Sequence, residues 1–200
     1  MGEQPSFPDT FQISSSPIMK LRRLLLPILV ATATTGLTAC GDDGVQKVAE
    51  SEGTYVTIGS VQYQVQISRQ LNPTDVEDRD YLAGVAAADK ELKPDQVWFG
   101  IFIRAKNKTN VPLNTADEFT LADTVGDKFH RIEAENIVDY KPTILGPGDV
   151  FPHSNEVSSY GPTQGKLLLF KLTNATLDNR PLEMEIVSPD GDHGSVRIDV

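Results

Sequence analysis

The sequence predicts an all-β sandwich of about seven to nine short strands, and three observations carry that expectation. Val61-Gln62-Tyr63-Gln64-Val65-Gln66-Ile67 alternates apolar and polar side chains without a break, the period of a strand with one buried and one wet face. Val97–Ala105 (VWFGIFIRA) and Gly165–Leu172 (GKLLLFKL) are strand-length runs apolar on both parities, as central strands covered on both faces require. Glycine, proline and aspartate turns recur between such runs, and no stretch has the period of a long amphipathic helix.

In chain order, Thr54–Ile58 pairs with the alternating strand across Gly59-Ser60, a two-residue hairpin turn. Leu71–Pro94 interrupts the strand series as a partly structured insertion. Within it, residues 74–80 are expected to be a charged loop, and 81–88 (YLAGVAAA) a turn of helix. After the apolar run at Val97–Ala105, Asn107–Val111 turns the chain. Phe119–Ala122 and Lys128–Ile132 flank the glycine-bearing hairpin turn Asp123–Asp127. Pro142, Pro147 and Pro152 punctuate a loop-rich passage, and Phe151–Thr163 forms a long second loop. Leu182-Met184-Ile186 and Val196-Ile198-Val200 alternate with charged residues and close the sheet series. No internal repeat or low-complexity tract is visible.

The N-terminal part concerns address. Lys20, Arg22 and Arg23 form a basic segment, Leu24–Val30 an apolar one, and Leu37-Thr38-Ala39-Cys40 ends in small residues on the single cysteine. That order reads as a secretory signal with a cleavage site. The apolar run, interrupted by Pro27, is short of the ~20 residues a spanning helix needs. Met19–Cys40 resembles a bacterial lipoprotein signal with its lipobox. The resemblance implies a signal peptide over 19–39, lipid attachment at Cys40 and a flexible linker over 40–53. Residues 1–18 read as an over-extended start, because only from Met19 does the basic segment sit at the N-terminus.

The chain carries a net charge of −10, of which the first forty residues contribute +1 and the remainder −11. Such a domain repels nucleic-acid phosphate, so no nucleic-acid partner is expected. With Cys40 committed to lipid, no disulfide and no disulfide-linked partner is available, and the domain stands on its core alone.

Trp98–Thr109 (WFGIFIRAKNKT) resembles the "hydrophobic strand, then Lys-Asn" signature of the bacterial immunoglobulin-like envelope lipoproteins, a family of unknown function. Phe119–Asp123 with Gly126 and Phe129, Leu145–Gly148, Gly165–Phe170 and Pro181–Ile186 follow in that family's order. The resemblance spans 54–200 and implies an immunoglobulin-like β-sandwich on the outer face of a membrane, without implying a reaction. The segments 71–94 and 151–163 depart from the family pattern.

Few residues suggest chemistry. His130, His153 and His193 lack the paired spacing of a metal site. Met184 lies on the apolar parity of its strand. Asp123–Asp127 and Asp190-Gly191-Asp192 lack the spaced oxygens of a calcium loop and read as acidic hairpin turns. Ser154, Ser158 and Ser159 neighbour His153, yet there is no Gly-x-Ser-x-Gly elbow and no phosphate-cradling glycine loop. Trp98 is expected to cover the second face of its strand. Tyr81, Tyr140, Phe151 and Tyr160 are loop aromatics and the better candidates for partner contact, because loops carry binding more often than strands; loop aromatics also commonly fold back onto the core, so no site is assigned from them.

The sequence therefore suggests a non-catalytic, lipid-anchored binding or structural module of the bacterial envelope. It has no cofactor, a membrane partner through the lipid, and an envelope protein as the expected further partner. The alternative is a small-ligand or metal carrier lipoprotein serving an envelope transporter. The interaction surfaces would be the 71–94 insertion and the 151–163 loop, and the site residue is Cys40.

Overall fold

The computed structural model describes residues 45–199; Cys40 and the signal lie outside the described residues. Twelve strand segments occur among the described residues, seven of them four or more residues long. The order is β1 (Val48–Ala49), β2 (Tyr55–Ile58), β3 (Val61–Leu71), helix α1 (Val76–Tyr81), β4 (Gln96–Asn107), β5 (Leu113–Asn114), β6 (Glu118–Ala122) and β7 (Lys128–His130). Then follow β8 (Ile144–Leu145), β9 (Val150–Phe151), β10 (Lys166–Thr173), helix α2 (Asn174–Asp178), β11 (Leu182–Val187) and β12 (His193–Ile198). One sheet runs β1-β12-β11-β6-β7 and the other β10-β4-β3-β2, with β9 joining the end of β4. The two sheets make the protein a β-sandwich.

The hairpin expected across Gly59-Ser60 forms, with Ile58 opposite Val61. Both turn residues have positive φ, 55° and 66°, the backbone of a type I′ turn whose twist matches that of the strands it joins. β3 does not keep its alternation to the end. The register slips between Val65 and Ile67, so Gln66 forms a bulge and the side-chain parity reverses. Val61, Tyr63 and Val65 point into the sandwich, whereas Ile67 and Leu71 oppose Phe102 and Trp98 on the far face.

β4 is the centre of the molecule. Phe99, Ile101, Ile103 and Ala105 enter the core between the sheets. Trp98 and Phe102 enter a second apolar cluster with Leu71, Tyr81, Val85, Ala134, Leu167 and Leu169. This is why the β4 and β10 runs are apolar on both parities: each strand is covered on its second face as well. Trp98 is packed there, 4% exposed, as its parity predicts. Met184 is likewise fully buried.

Two expectations need correction. The flexible linker over 40–53 is, in its later part, sandwich: β1 pairs in parallel with β12, and Ala49 is in the core. Backbone bonds tie it down: the Lys47 carbonyl accepts from the Ser195 N–H at 2.8 Å and the Gln46 carbonyl from the Thr57 N–H at 2.7 Å, pairings that polar composition does not reveal. In the insertion, helix and loop are exchanged. The helix is Val76–Tyr81, all but its last residue in the stretch read as charged loop, and residues 82–86 carry none, with only a 3₁₀ turn at Ala87–Asp89. Asp75 caps α1 by accepting from the N–H groups of Glu77 and Asp78, and both carboxylates lie in the first turn; this cap and dipole pairing favour the charged stretch over the alanines. Gly84 stops any continuation: its φ is 79°, and a Cβ there would collide with the Glu135 backbone.

Candidate binding cleft

The segments that departed from the strand pattern lie together. Helix α1 and the end of the 151–163 loop face one another across the outer surface of β4, with residues 136–138 closing the side. Between them is a cleft of about 370 Å³ lined by Glu77, Asp80, Tyr81, Phe102, Ile137, Val138 and residues of the 157–165 stretch. This volume lies within the range of small-ligand sites, about 300–1,000 Å³.

The floor is rigid. The Tyr81 ring meets Phe102 edge-on with centroids 5.1 Å apart, a favourable arrangement of ring quadrupoles. The Tyr81 hydroxyl donates to Glu77 Oε1 at 2.6 Å. Burial, and then this bond to a carboxylate, push the phenol up to about 12, so it remains a donor. Beneath, Arg69 donates to Asp78 at 2.6 Å and stands 5.8 Å from the Tyr81 ring centroid. Asp78 also accepts from the Asn72 N–H at 2.7 Å. Burial raises the Asp78 pKa, but the Arg69 bond, the Asn72 bond and the Arg69 charge outweigh it and hold the carboxyl below its usual value.

The side wall is tied to the helix by Asn136, which donates to the carbonyls of Tyr81 and Ala83 at 3.0 and 2.7 Å. Lys166 donates to the Ile137 carbonyl at 2.7 Å and ion-pairs with Glu156. Glu156 in turn accepts from the His153 N–H at 2.8 Å. Two cations beside the cleft, Arg69 and Lys166, are thus already engaged.

The rim is apolar and exposed: Ile137 at 75%, Val157 at 56% and Tyr160 at 57%. Of the four loop aromatics proposed for partner contact, Tyr160 alone is exposed. Tyr140 is fully buried, Phe151 is 7% exposed and Tyr81 9%. Each turns inward because the core offers it a ring partner: Phe119 and Phe151 for Tyr140, Phe102 for Tyr81.

The serines near His153 have ordinary roles or none. Ser159 Oγ donates to the carbonyls of Ser154 and Glu156, closing the local turn. Ser158 borders the cleft and is 5% exposed; its hydroxyl oxygen is itself buried and has no hydrogen-bond partner among the described residues. The two segments stand out in the sequence, but Asn136–Val138 does not, because one polar and two apolar residues carry no period that signals a wall.

Elsewhere, the acidic turns are backbone caps. Asp123 Oδ1 accepts from the N–H groups of Val125 and Asp127, and Asp192 accepts from the Gly59 N–H and pairs with Lys47. His130, His153 and His193 sit apart, and no three His, Cys, Asp or Glu side chains gather as for a metal ion among the described residues.

The fold and cleft define a β-sandwich with a single-sided groove built from its insertions. Comparison with solved structures bears on the fold alone. The yjhA protein of Bacillus subtilis superimposes with a TM-score of 0.51 at 11% identity, covering 75% of this chain and 99% of that one. The Bacillus subtilis "putative lipoprotein" ycdA gives a TM-score of 0.47 at 16% identity, covering 75% of this chain and 39% of its own length. An uncharacterized beta-sandwich protein of Clostridium difficile 630 gives 0.38 at 10% identity, covering 77% and 95%. At these identities the likeness is one of fold. No protein-family model matches the chain, and no curated protein does.

Proposed function

We infer that this protein is a non-catalytic binding module of the bacterial envelope, held to the extracytoplasmic side of a membrane by lipid on Cys40, and that it binds through the cleft between α1 and the 157–165 stretch. One observation carries the reading of the cleft. The two segments that break the strand pattern, 86 residues apart at Glu77 and Thr163, meet in one groove, with the Thr163 and Glu77 side chains 3.5 Å apart. A stability role alone would not leave Ile137, Val157 and Tyr160 exposed around it, since solvent-facing apolar side chains clustered at a groove mark contact sites. The lipobox motivates the anchor: two acyl chains on one thioether-linked glycerol suffice for stable attachment. Membership of the immunoglobulin-like envelope lipoproteins is part of the same proposal.

Cys40→Ser and cell fractionation test the anchor. The account expects the substituted protein to leave the membrane fraction; unchanged retention contradicts lipid attachment at Cys40.

A further inference from the structure

We propose that residues 152–165 are a flap that moves as one body beside the cleft and is clasped shut by the Glu156–Lys166 ion pair. The loop leaves and rejoins a single edge of β4: Phe151 lies opposite Ala105 and Lys166 opposite Ile103. Two residues along one strand separate these partners, about 7 Å, the narrow neck of a compact surface loop. Above the neck the loop is tied chiefly to itself. The His153 N–H donates to Glu156 Oε1 at 2.8 Å, and Ser159 Oγ to the carbonyls of Ser154 and Glu156 at 3.2 and 2.7 Å. The Ser159 and Tyr160 N–H groups donate to the carbonyls of Glu156 and Val157 at 3.0 and 3.4 Å, and the Gly165 N–H to that of Ser158 at 2.8 Å. Among the described residues, two contacts tie 153–163 to the rest of the molecule by hydrogen bond or ion pair: Glu156 to Lys166, and Thr163 to Glu77 at 3.5 Å, too long to hold much.

The clasp is a buried cation shared between two segments. The Lys166 side chain is 6% exposed. Its ammonium meets Glu156 from the flap, donates to the Ile137 carbonyl of the side wall at 2.7 Å, and stands 5.3 Å from the Phe151 ring centroid. A pair so far out of bulk water is screened little by salt, so it holds the flap where the Thr163 contact does not. Losing Glu156 does not strand the ammonium, because the Ile137 carbonyl and the Phe151 ring remain. Val157, Tyr160 and Pro162 line the cleft from the flap, whereas Tyr81, Phe102 and Val138 line it from the body of the sandwich. Opening the clasp therefore moves one wall and leaves the floor in place. If the cleft is the binding site, as proposed above, the flap sets how wide it stands; the motion itself needs no ligand.

The test uses the full chain with Cys40→Ser, which removes the single cysteine, and spin labels at Asp80→Cys and Val157→Cys, exposed positions on facing walls. Double electron–electron resonance should give one narrow distance distribution with the clasp intact, and a longer, broader one once Glu156→Ala is added. Lys166→Met should open the distance in the same way; Glu156→Ala, at a partly exposed position, decides the matter should the lysine variant not fold. Hydrogen exchange in Glu156→Ala should leave the Ser159 and Tyr160 amides as protected as in the parent, because their acceptors are backbone carbonyls that travel with the flap. An unchanged distribution in Glu156→Ala overturns the clasp, and a broad one in the parent overturns the closed state. Loss of protection at Ser159 and Tyr160 overturns motion as one body. No outcome involves a ligand, so failure here is separate from failure of the cleft as a binding site.

Discussion

Tyr81 and Phe102 meet edge-on at 5.1 Å, so the floor of the cleft is also part of the second apolar cluster. Binding surface and core are continuous there, but not at the rim. Phe102→Ala should destabilise the domain by about 3–5 kcal/mol, the cost of emptying a buried aromatic site. Tyr160→Ala, at an exposed position, should change stability by less than about 0.5 kcal/mol. Urea unfolding of the two variants checks the contrast.

Asp78 gives the domain's stability a pH dependence. Its carboxyl is held below the usual value in the folded protein. The stabilisation it supplies is therefore complete above its unfolded pKa of about 3.9 and is lost as pH falls through the lower folded value. Asp78→Asn should cost about 2 kcal/mol near neutrality, the worth of a bond to a charged partner. That deficit should shrink as the pH falls below about 4. Melting temperatures of both proteins across the acid range read this directly.

Tyr63 and Tyr140 grip Ala116 from two sides: the Ala116 N–H donates to the Tyr63 hydroxyl at 2.6 Å, and the Tyr140 hydroxyl donates to the Ala116 carbonyl at 2.9 Å. Burial, first of all, pushes both phenols up well beyond their ordinary value. Tyr63→Phe leaves the buried Ala116 N–H without an acceptor and should cost about 1–3 kcal/mol. Chemical denaturation of that variant measures it.

The Arg131–Asp139 pair, 3.0 Å apart, is deeply buried, and Arg131 Nε and Asp139 Oδ1 have no hydrogen-bond partner among the described residues. Burial raises the Asp139 pKa, and Arg131 offsets this only in part. Arg131→Met alone should destabilise by about 3–5 kcal/mol because it strands the carboxylate. Arg131→Met with Asp139→Leu should recover most of that loss, since replacing both members removes the desolvation cost. A double-mutant cycle in urea tests the coupling.

The sandwich was legible because its strands obey simple periods. Val61–Val65 alternates, and β4 and β10 are apolar on both faces for a reason the structure makes plain. What escaped was local. The Gln66 bulge leaves no mark in composition, yet it turns Ile67 and Leu71 to the opposite face. Helix α1 was hidden because six charged or polar neighbours read as loop, whereas the Asp75 cap, not apolar period, sets it. The cleft was half legible: the two insertions stood out as breaks in the pattern, but their meeting depends on tertiary contacts such as Asn136 to Tyr81 that no spacing announces. Tyr140 and Phe151 took the second of the two courses open to loop aromatics, folding back onto the core, because ring partners are available there that the sequence does not show.

The central claim is that binding occurs between α1 and the 157–165 stretch. Backbone amide shift mapping of the labelled domain, titrated with phenethylamine, phenethyl alcohol and 3-phenylpropionate as small amphipathic probes, tests it most directly. The account predicts that perturbed amides cluster at 76–82, 136–138 and 157–165. Perturbations that scatter over the domain, or gather on the β1-β12-β11-β6-β7 sheet, would contradict it.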